Sequence, residues 1–198
     1  MNQVGNIGRL WYCMRFAEEA KMFRKGHQEE DVLPEERQDV SLRAITPSGW
    51  ISGKMSIPGL VRVVDYIDKE DVLRLTEVQV EGDSQGPSFV ALRRESVIFF
   101  IIEGNENLES VESVGHQDEH RVMCWFDGGA VQGVLLTRLG ARISDYLARH
   151  EGLVVLRECR YRIRNPMTRK VEDGESWAML LNARAIVAVT ERSQTGEE

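Results

Sequence analysis

The chain has 198 residues, of which 42% are apolar and 29% are charged, a balance that excludes wholesale disorder and fibrous repeats. Its formal net charge of -7 argues against sequence-independent binding along a nucleic-acid backbone, although it does not exclude a local basic patch. The longest apolar run, at residues 97–102, is too short for a membrane-spanning helix, which needs about 20 residues. The three cysteines form no CxxC pair and the N-terminus lacks a secretory signal, so we expect a cytoplasmic protein without a disulfide framework.

Residues 1–26 are predicted to form an N-terminal helix that ends at Gly26. Its apolar side chains cover most of the circumference, so the helix must bury more than one stripe. It either packs over the rest of its own chain or docks into a partner protein or a second copy, because aromatic residues and Met are favoured at interfaces. The candidate interface residues of this helix are Leu10, Trp11, Met14, Phe16 and Phe23.

An internal repeat organises the rest of the chain. Residues 49–67 align without a gap with residues 129–147, at a spacing of 80 and with five identities in 19 positions. Two further segments match downstream in the same order, the last of them at a spacing of 88. Three collinear matches indicate a tandem duplication, with units at 40–103 and 119–191.

Each unit is predicted to be a small, bent antiparallel β-barrel of the SH3-like or Sm-like kind, with five strands and a short helical insert. Gly-containing turns at residues 47–49 and 127–129 are typical of hairpins. In both units a Gly follows inside the next strand, Gly53 and Gly133, where a bulge or bend would let the barrel close. The predicted fold class is therefore mainly β, with two tandem barrels after one N-terminal α-helix.

Three polar segments are predicted to lie outside the helix and the barrels. Residues 27–39 and residues 104–118 are acidic and read as linkers, and residues 192–198 read as a flexible tail. The apolar run at residues 97–102 lies in the last strand of the first unit and indicates burial on both faces of the sheet.

An Arg, an Asp and a Tyr recur at the short helix of each unit. A structural role has the Asp, or Ser144 in the second unit, cap the helix while the Arg shields it and the Tyr packs inward. A functional role has the Asp hold the Arg for an anionic or peptide ligand. Presence in both units favours the structural role. The residues are Arg62, Asp65 and Tyr66 in the first unit and Arg142, Asp145 and Tyr146 in the second.

The segment 157–170 is the strongest binding patch in the sequence. On a strand, Arg160, Arg162 and Arg164 project to one face, where they could bind phosphates or an acidic partner, together with Arg169 and Lys170. The alternative is a solvated strand face paired with acids on the next strand. Residues 119–191 carry 11 basic and 9 acidic side chains, a surplus of 2, so the patch lies in the more basic unit.

No metal site, cofactor or catalytic site is predicted. His116, His120 and Cys124 share a face only if the segment is a helix, and its match to the first unit indicates a strand that would separate them. The sequence also lacks the phosphate-loop motif, the dinucleotide-binding motif and the zinc-protease motif His-Glu-x-x-His. We therefore expect a protein that is not an enzyme.

The repeated pattern resembles an uncharacterised bacterial domain family of unknown function. Its pattern is a Gly-x-x-x-Gly strand, then Arg-x-Ser-Asp-Tyr-Leu, and a closing Leu-Asn-x-x-Ala-Ile. The first unit departs from it, with Val64, Ile67 and Arg94 at the Ser, Leu and Asn positions. The resemblance implies the barrel fold and a bacterial cytoplasmic setting, and no activity. The matching residues of the second unit are Arg142, Ser144, Asp145, Tyr146, Leu147, Asn182 and Ile186.

Taken together, these features predict a non-catalytic protein-interaction or scaffold module of a bacterial cytoplasmic assembly, with a protein partner or self-association. One alternative is a regulatory binder of nucleic acid or an anionic small ligand, through the Arg-rich strand. A second alternative is an enzyme whose site lies between the two units.

Overall fold

The computed structural model describes residues 36–104 and 117–191. The predicted N-terminal helix with its five candidate interface residues, His116 and the C-terminal tail lie outside these residues. So does most of each predicted linker, although the first strand begins at Arg37 and the sixth at Gln117, inside the stretches predicted as linkers.

Ten strands and two short helices make up the described chain, and they fall into two halves. The first half contains β1 Arg37–Thr46, β2 Gly49–Pro58, α1 Val63–Lys69, β3 Val72–Val80, β4 Phe89–Arg93, a 3-10 turn Arg94–Ser96 and β5 Phe99–Ile102. The second half contains β6 Gln117–Phe126, β7 Gly129–Arg138, α2 Ile143–Arg149, β8 Leu153–Arg164, β9 Val171–Asn182, a 3-10 turn Ala183–Ala185 and β10 Ala188–Glu191.

All ten strands form one antiparallel sheet that does not close, in the order β10-β6-β7-β8-β9-β5-β1-β2-β3-β4. The prediction of two tandem barrels is therefore wrong. The physical reason lies in β5, which pairs with β1 on one side and with β9 of the other half on the other. The edge of β5 that would have closed the first unit is used to join the two halves.

The two halves nevertheless share one plan of strand order and register. In each half the order is last strand, then first, second, third and fourth. The first hairpins pair over ten positions, from Arg37 with Pro58 to Thr46 with Gly49, and 80 residues later from Gln117 with Arg138 to Phe126 with Gly129. The hairpin predictions at residues 47–49 and 127–129 are confirmed.

A bulge interrupts the pairing of the second and third strands at the same place in each half. The register shifts around Gly53 and around Gly133, as predicted from the glycines. A Cβ on Gly53 would lie 2.9 Å from the Thr76 carbonyl oxygen, and one on Gly133 would lie 2.8 Å from the Arg157 carbonyl oxygen. The partner strands hold Glu77 and Glu158 at positive φ, 51° and 49°. These glycines let a neighbouring backbone approach closely, but the bend does not close a barrel.

The closing segments of the two halves correspond at a spacing of 89 rather than the predicted 88. The 3-10 turns of the two halves begin at Arg94 and Ala183, and the last strands begin at Phe99 and Ala188. The two starting residues of each pair are 89 positions apart. Arg93, and not Arg94, is therefore the counterpart of Asn182. Sequence alignment missed the extra residue because both segments are apolar enough to match in either register.

Two apolar cores lie on opposite faces of the sheet and share its central strands. Successive residues of a strand point to opposite faces. Accordingly, Phe100 and Ile102 belong to the core of the first half, whereas Phe99 and Ile101 belong to that of the second half. All four are buried, as the apolar run predicted. Strand β9 divides in the same way, so neither core is complete without residues of the other half.

The helices occupy the predicted positions but differ in burial. Helix α1 buries Val63 and Ile67 against the first core, whereas α2 has no buried residue. Neither helix has a side-chain N-cap, because the cap positions hold Arg62 and Arg142. The capping role predicted for Asp65, Asp145 and Ser144 is wrong, since all three lie in the first turn. Within residues 36–104 and 117–191, no helix has the length and apolar character needed to cross a bilayer.

Candidate functional site

Two cross-strand rows of side chains form the exposed face of the second half. One row runs from Ala188 through Trp125, Ala130 and Arg162 to Asp173. The other runs from Met123 through Gln132 and Arg160 to Glu175. We call this surface the Trp125–Arg162 face. Its central part is concave and encloses about 720 Å³, and Arg164 and Val171 lie at one end of it.

The arginines of this face pair with acids on the next strand. Arg160 Nε lies 2.9 Å from Glu175 Oε1, and Arg162 Nε lies 3.7 Å from Asp173 Oδ1. All four side chains are at least two-thirds exposed. Exposed ion pairs of this kind contribute little, typically under about 1 kcal/mol. The cross-strand acids predicted as the structural alternative are present, but they hold the arginines weakly.

The remaining predicted members of the basic patch lie at one end of the face or beyond it. Arg164 Nε donates a hydrogen bond to the carbonyl oxygen of Arg169, 3.3 Å away. Arg169 and Lys170 belong to the exposed turn between β8 and β9 rather than to the strand face, and Arg169 has a φ of 61°. The predicted five-residue patch therefore divides into a strand face and a turn.

Trp125 is the aromatic residue at the centre of this surface, and 45% of it is exposed. Its neighbours across the strands are the small side chain of Ala130 and the edge residue Ala188. Trp and Arg are the residue types that most often dominate binding energy at protein interfaces. Sequence reasoning named the arginines but missed Trp125, because the pairing of β7 with β8, which places Arg162 opposite Ala130, was not predicted.

The repeated Arg-Asp-Tyr motif behaves differently in the two halves. Arg62 Nη2 donates to Asp65 Oδ1 at 2.8 Å, whereas Arg142 and Asp145 form no pair within the described chain. Tyr66 is partly buried against the first core and Tyr146 against the second. Tyr146 also stacks on His150, with ring centroids 5.0 Å apart, and burial raises its pKa above the usual value.

A polar cleft opens beside α2 in the second half. His120 Nδ1 lies 2.8 Å from Glu191 Oε1, and His120 Nε2 lies 3.1 Å from Thr137 Oγ1. Asp118 accepts a hydrogen bond from the Gly140 N–H at 2.6 Å. The cleft encloses about 640 Å³ and is also lined by Arg142 and Ser144. The Thr137 side chain is buried behind His120 rather than open to the cleft.

Sequence reasoning did not find this cluster, although the repeat contained the signal. At the spacings of 80 and 89 that relate the two halves, His120, Thr137 and Glu191 correspond to apolar residues. Their counterparts Val40, Ile57 and Ile102 are all buried in the first core. Three polar residues therefore meet at positions where the other half is apolar. The fold itself does not require polar residues at these positions.

A second hydrogen-bonded network joins the two halves at the turn between β8 and β9. The fully buried Asn165 donates to both oxygens of Glu81 at 2.8 Å and to Glu172 Oε1 at 2.6 Å. Trp50 donates from its indole to Glu172 Oε2 at 2.7 Å and from its backbone to Glu81 Oε2 at 3.1 Å. All four carboxylate oxygens of Glu81 and Glu172 thus accept hydrogen bonds, and this arrangement holds the two halves together. The Arg43 guanidinium lies 4.5 Å from the Trp50 ring centre.

The two cysteines of the described chain are buried in the second core. Burial raises the pKa of the Cys124 thiol to about 11 and that of the Cys159 thiol to about 12. Such thiols are poor nucleophiles at neutral pH. His120 and Cys124 lie on a strand, as predicted, and within residues 36–104 and 117–191 no three His, Cys, Asp or Glu side chains group closely enough to hold a metal ion.

Comparison of the chain with models of protein families, with curated proteins and with solved structures gave no match. The resemblance to a bacterial domain family of unknown function therefore stays a prediction.

Proposed function

We propose that this protein is a non-catalytic protein-interaction module and that the Trp125–Arg162 face binds its partner. The observation that carries the proposal is the cross-strand row in which the half-exposed Trp125 lies two strands from Arg162, with Ala130 between them. An exposed aromatic ring and a guanidinium on one face of a sheet are the composition of an interface hot spot.

The chemistry of the face selects an acidic partner segment that also carries apolar side chains. Three arginines and two acids line the concave part of the face, so it keeps a net positive charge. A partner carboxylate can replace Asp173 or Glu175 at small cost, because those ion pairs are exposed. The apolar side chains of the segment would cover Trp125, Met123 and Ala130.

The runner-up is binding of nucleic acid or an anionic small ligand by the same arginines. The charge balance of the face disfavours it, because three arginines against two acids leave a surplus of one positive charge, which is small for a polyanion. The net charge of the whole chain, -7, opposes it as well. A protein segment gains from the exposed Trp in addition to charge, and it is therefore favoured.

Selection of a phage-displayed random peptide library on the full chain tests the proposal. We expect enriched peptides to combine Asp or Glu with aromatic or aliphatic residues. A synthetic peptide of that sequence should bind Trp125→Ala at least tenfold more weakly, whereas the control Phe89→Ala should bind normally. Phe89 is also an aromatic residue that is 50% exposed, and it lies on β4 in the other half, outside the Trp125–Arg162 face.

Three results would count against the proposal. One is equal binding of peptide by the wild type and by Trp125→Ala. Another is full binding by a variant with Arg160, Arg162 and Arg164 all changed to Ser. The third is tight binding of a single-stranded oligonucleotide whose affinity falls steeply with salt, which would favour the runner-up.

The polar cleft supports a second candidate function, the binding of a small polar ligand. The specific observation is that His120, Thr137 and Glu191 replace three buried apolar residues of the other half. A thermal-shift screen of small carboxylates and phosphates tests it. A ligand that stabilises the wild type, but not a variant with Val, Ile and Ile at these three positions, would establish the cleft as a site.

We also propose that the two halves derive from one duplicated unit. Three features support this origin: the shared strand order, the hairpin register that repeats after 80 residues, and the bulges at Gly53 and Gly133. Superposition of the two halves of an experimental structure tests it, and halves that do not superpose over their ten strands would contradict it.

A further inference from the structure

The junction between the two halves consists of one strand edge from each. Strand β5 offers the edge that does not face β1, and β9 offers part of the edge that does not face β8. The pairs are Phe99 with Leu181, Phe100 with Leu180 and Ile101 with Met179. Asn182 N donates to the Ile98 carbonyl oxygen at 3.0 Å, so Leu180 and Phe100 form the next hydrogen-bonded pair in the ladder.

The same two kinds of edge lie unused at the ends of the sheet. Strand β10 is the counterpart of β5, and in the described chain it pairs with β6 alone. Strand β4 is the counterpart of β9, and within residues 36–104 and 117–191 it pairs with β3 alone. Each end of the sheet therefore presents the edge that the other end would need to repeat the junction.

Little in the sequence of these edges protects them from pairing. Neither β4 nor β10 contains a Pro or a Lys, residues that commonly block edge strands. Apolar side chains are exposed beside both of them. Phe89 at the start of β4 is 50% exposed, and Val187 before β10 is 77% exposed. Unpaired backbone groups next to exposed apolar side chains favour the addition of another strand.

We propose that copies of this chain associate edge to edge, with β10 of one copy antiparallel to β4 of the next. The spacing of 89 residues sets the register, with Ala188 opposite Leu92, Val189 opposite Ala91 and Thr190 opposite Val90. The contact is head to tail, because the two copies use different edges, so it builds rings or linear chains rather than closed dimers. This inference goes beyond the proposed function and does not depend on it.

Association between copies is weaker than the junction inside the chain. Ala188, Val189 and Thr190 replace Phe99, Phe100 and Ile101, and Val90, Ala91 and Leu92 replace Met179, Leu180 and Leu181. The smaller side chains bury less apolar area, and association also costs translational and rotational entropy. We expect reversible assembly that depends on protein concentration.

Proline substitutions at the two edges test the proposal without disturbing the ladder inside the chain. Arg94 N donates to the Asp71 carbonyl oxygen, and ladder bonds alternate, so the Ala91 N–H faces away from β3. The correspondence with Phe100 places the Val189 N–H on the free edge of β10. Ala91→Pro and Val189→Pro each remove one donor of the predicted contact, and circular dichroism checks that both variants fold.

Light scattering coupled to size-exclusion chromatography, over a range of concentrations, provides the measurement. The full-length wild type should increase in mass with concentration, and each Pro variant alone should remain monomeric. An equimolar mixture of the two variants should form a dimer and nothing larger. In that mixture the intact β10 of Ala91→Pro pairs with the intact β4 of Val189→Pro, and the remaining edges are blocked.

Each of three outcomes overturns the inference. The wild type could be monomeric at every concentration, either Pro variant could associate as the wild type does, or the mixture could remain monomeric. If a Pro variant does not fold, Ala91→Lys and Val189→Lys replace the pair, because a charge on each edge blocks strand addition while leaving the backbone unchanged.

Discussion

Where β8 carries Arg160, Arg162 and Arg164, the corresponding stretch of the first half carries Gln79, Glu81 and Asp83. The spacing there is 81 residues, fixed by the pairing of Ile51 with Val80 and of Val131 with Tyr161. One backbone plan therefore carries basic residues along this stretch in one half and acidic residues in the other. The plan tolerates this difference because it depends on glycines, turns and inward-facing side chains, whereas Gln79 and Asp83 are exposed. Glu81 instead belongs to the hydrogen-bonded network around Asn165.

The difference extends to the cores. In the first half Val40, Ile57 and Ile102 complete an apolar core beneath α1, whereas the second half has His120, Thr137 and Glu191 beside α2. The consequence is visible in the helices, since α1 has two buried residues and α2 has none. In the second half a polar cleft takes the place of apolar packing. The stability of this half and its surface chemistry therefore depend on the same residues.

The largest expected effect concerns Phe99 of β5. Its fully buried ring lies between Trp50, Tyr161 and Phe126, with centroid distances of 5.6–5.8 Å. Phe99→Ala should lower the free energy of unfolding by about 3–5 kcal/mol in urea denaturation, because it leaves a cavity where the two halves meet. The control on the corresponding edge of the other half, Val187→Ala, should change it by less than about 0.5 kcal/mol. Equal effects would show that β5 and β10 have equivalent surroundings.

An intermediate effect concerns alkaline stability. The folded pKa values of Cys124 and Cys159, about 11 and about 12, lie above the ordinary value of 9.0. The unfolded chain therefore loses thiol protons first, and the stabilisation present below pH 9 is lost as pH rises toward the folded values. Between about pH 9 and about pH 10 the loss should be about 1 kcal/mol per thiol.

A matched variant confines this pH dependence to the second half. The first-half counterparts of the two cysteines are Ala44 and Val78, so Cys124→Ala with Cys159→Val restores the residues of the other half. Thermal melting of this double variant should show a smaller loss of stability above pH 9 than the wild type shows. An unchanged profile would assign the alkaline loss to other groups, of which Tyr146 also has a raised pKa.

The smallest effect concerns the polar cleft. Changing His120, Thr137 and Glu191 together to Val, Ile and Ile should raise the free energy of unfolding by about 1 kcal/mol, because apolar packing replaces a partly exposed polar cluster. His120→Val alone should lower it by about 1 kcal/mol, since it removes the hydrogen bonds of His120 to Glu191 and to the buried Thr137 hydroxyl, which keeps its bond to the Arg138 carbonyl oxygen. Urea denaturation of both variants measures these changes in the free energy of unfolding. A triple variant less stable than the wild type would show that the cluster has a structural role.

The elements were predictable from the sequence because local chemistry determines them. Two-residue turns, a Gly inside a strand and a short amphipathic segment each have a specific backbone requirement, and the hairpins, bulges and helices appear where these signals lie. Burial of the apolar run at residues 97–102 was predictable for the same reason. The arginines of β8 were also placed on an exposed strand face, because strand periodicity determines orientation.

The pairing of β5 with β9 was not predictable, and the barrel prediction was wrong because of it. Phe99 and Leu181 are 82 positions apart, and no local signal states which of two available edges a buried strand will join. The apolar character of β5 fits closure of its own unit as well as pairing with the other half. The Trp125–Arg162 face was not predicted from the sequence for a related reason, since it depends on the order of three strands.

The shared strand β5 also constrains how the chain can be made. As the chain is synthesised from its N-terminus, the first half emerges complete in sequence but without Leu153, Ala178 and Leu180, which belong to its core. Until β9 has left the ribosome, the outer edge of β5 is unpaired and Phe100 lacks the β9 residues that pack against it. A ribosome that pauses after β5 has emerged and before β9 has emerged would hold a nascent chain able to pair with foreign strands, so this interval is where assistance from a chaperone would matter most.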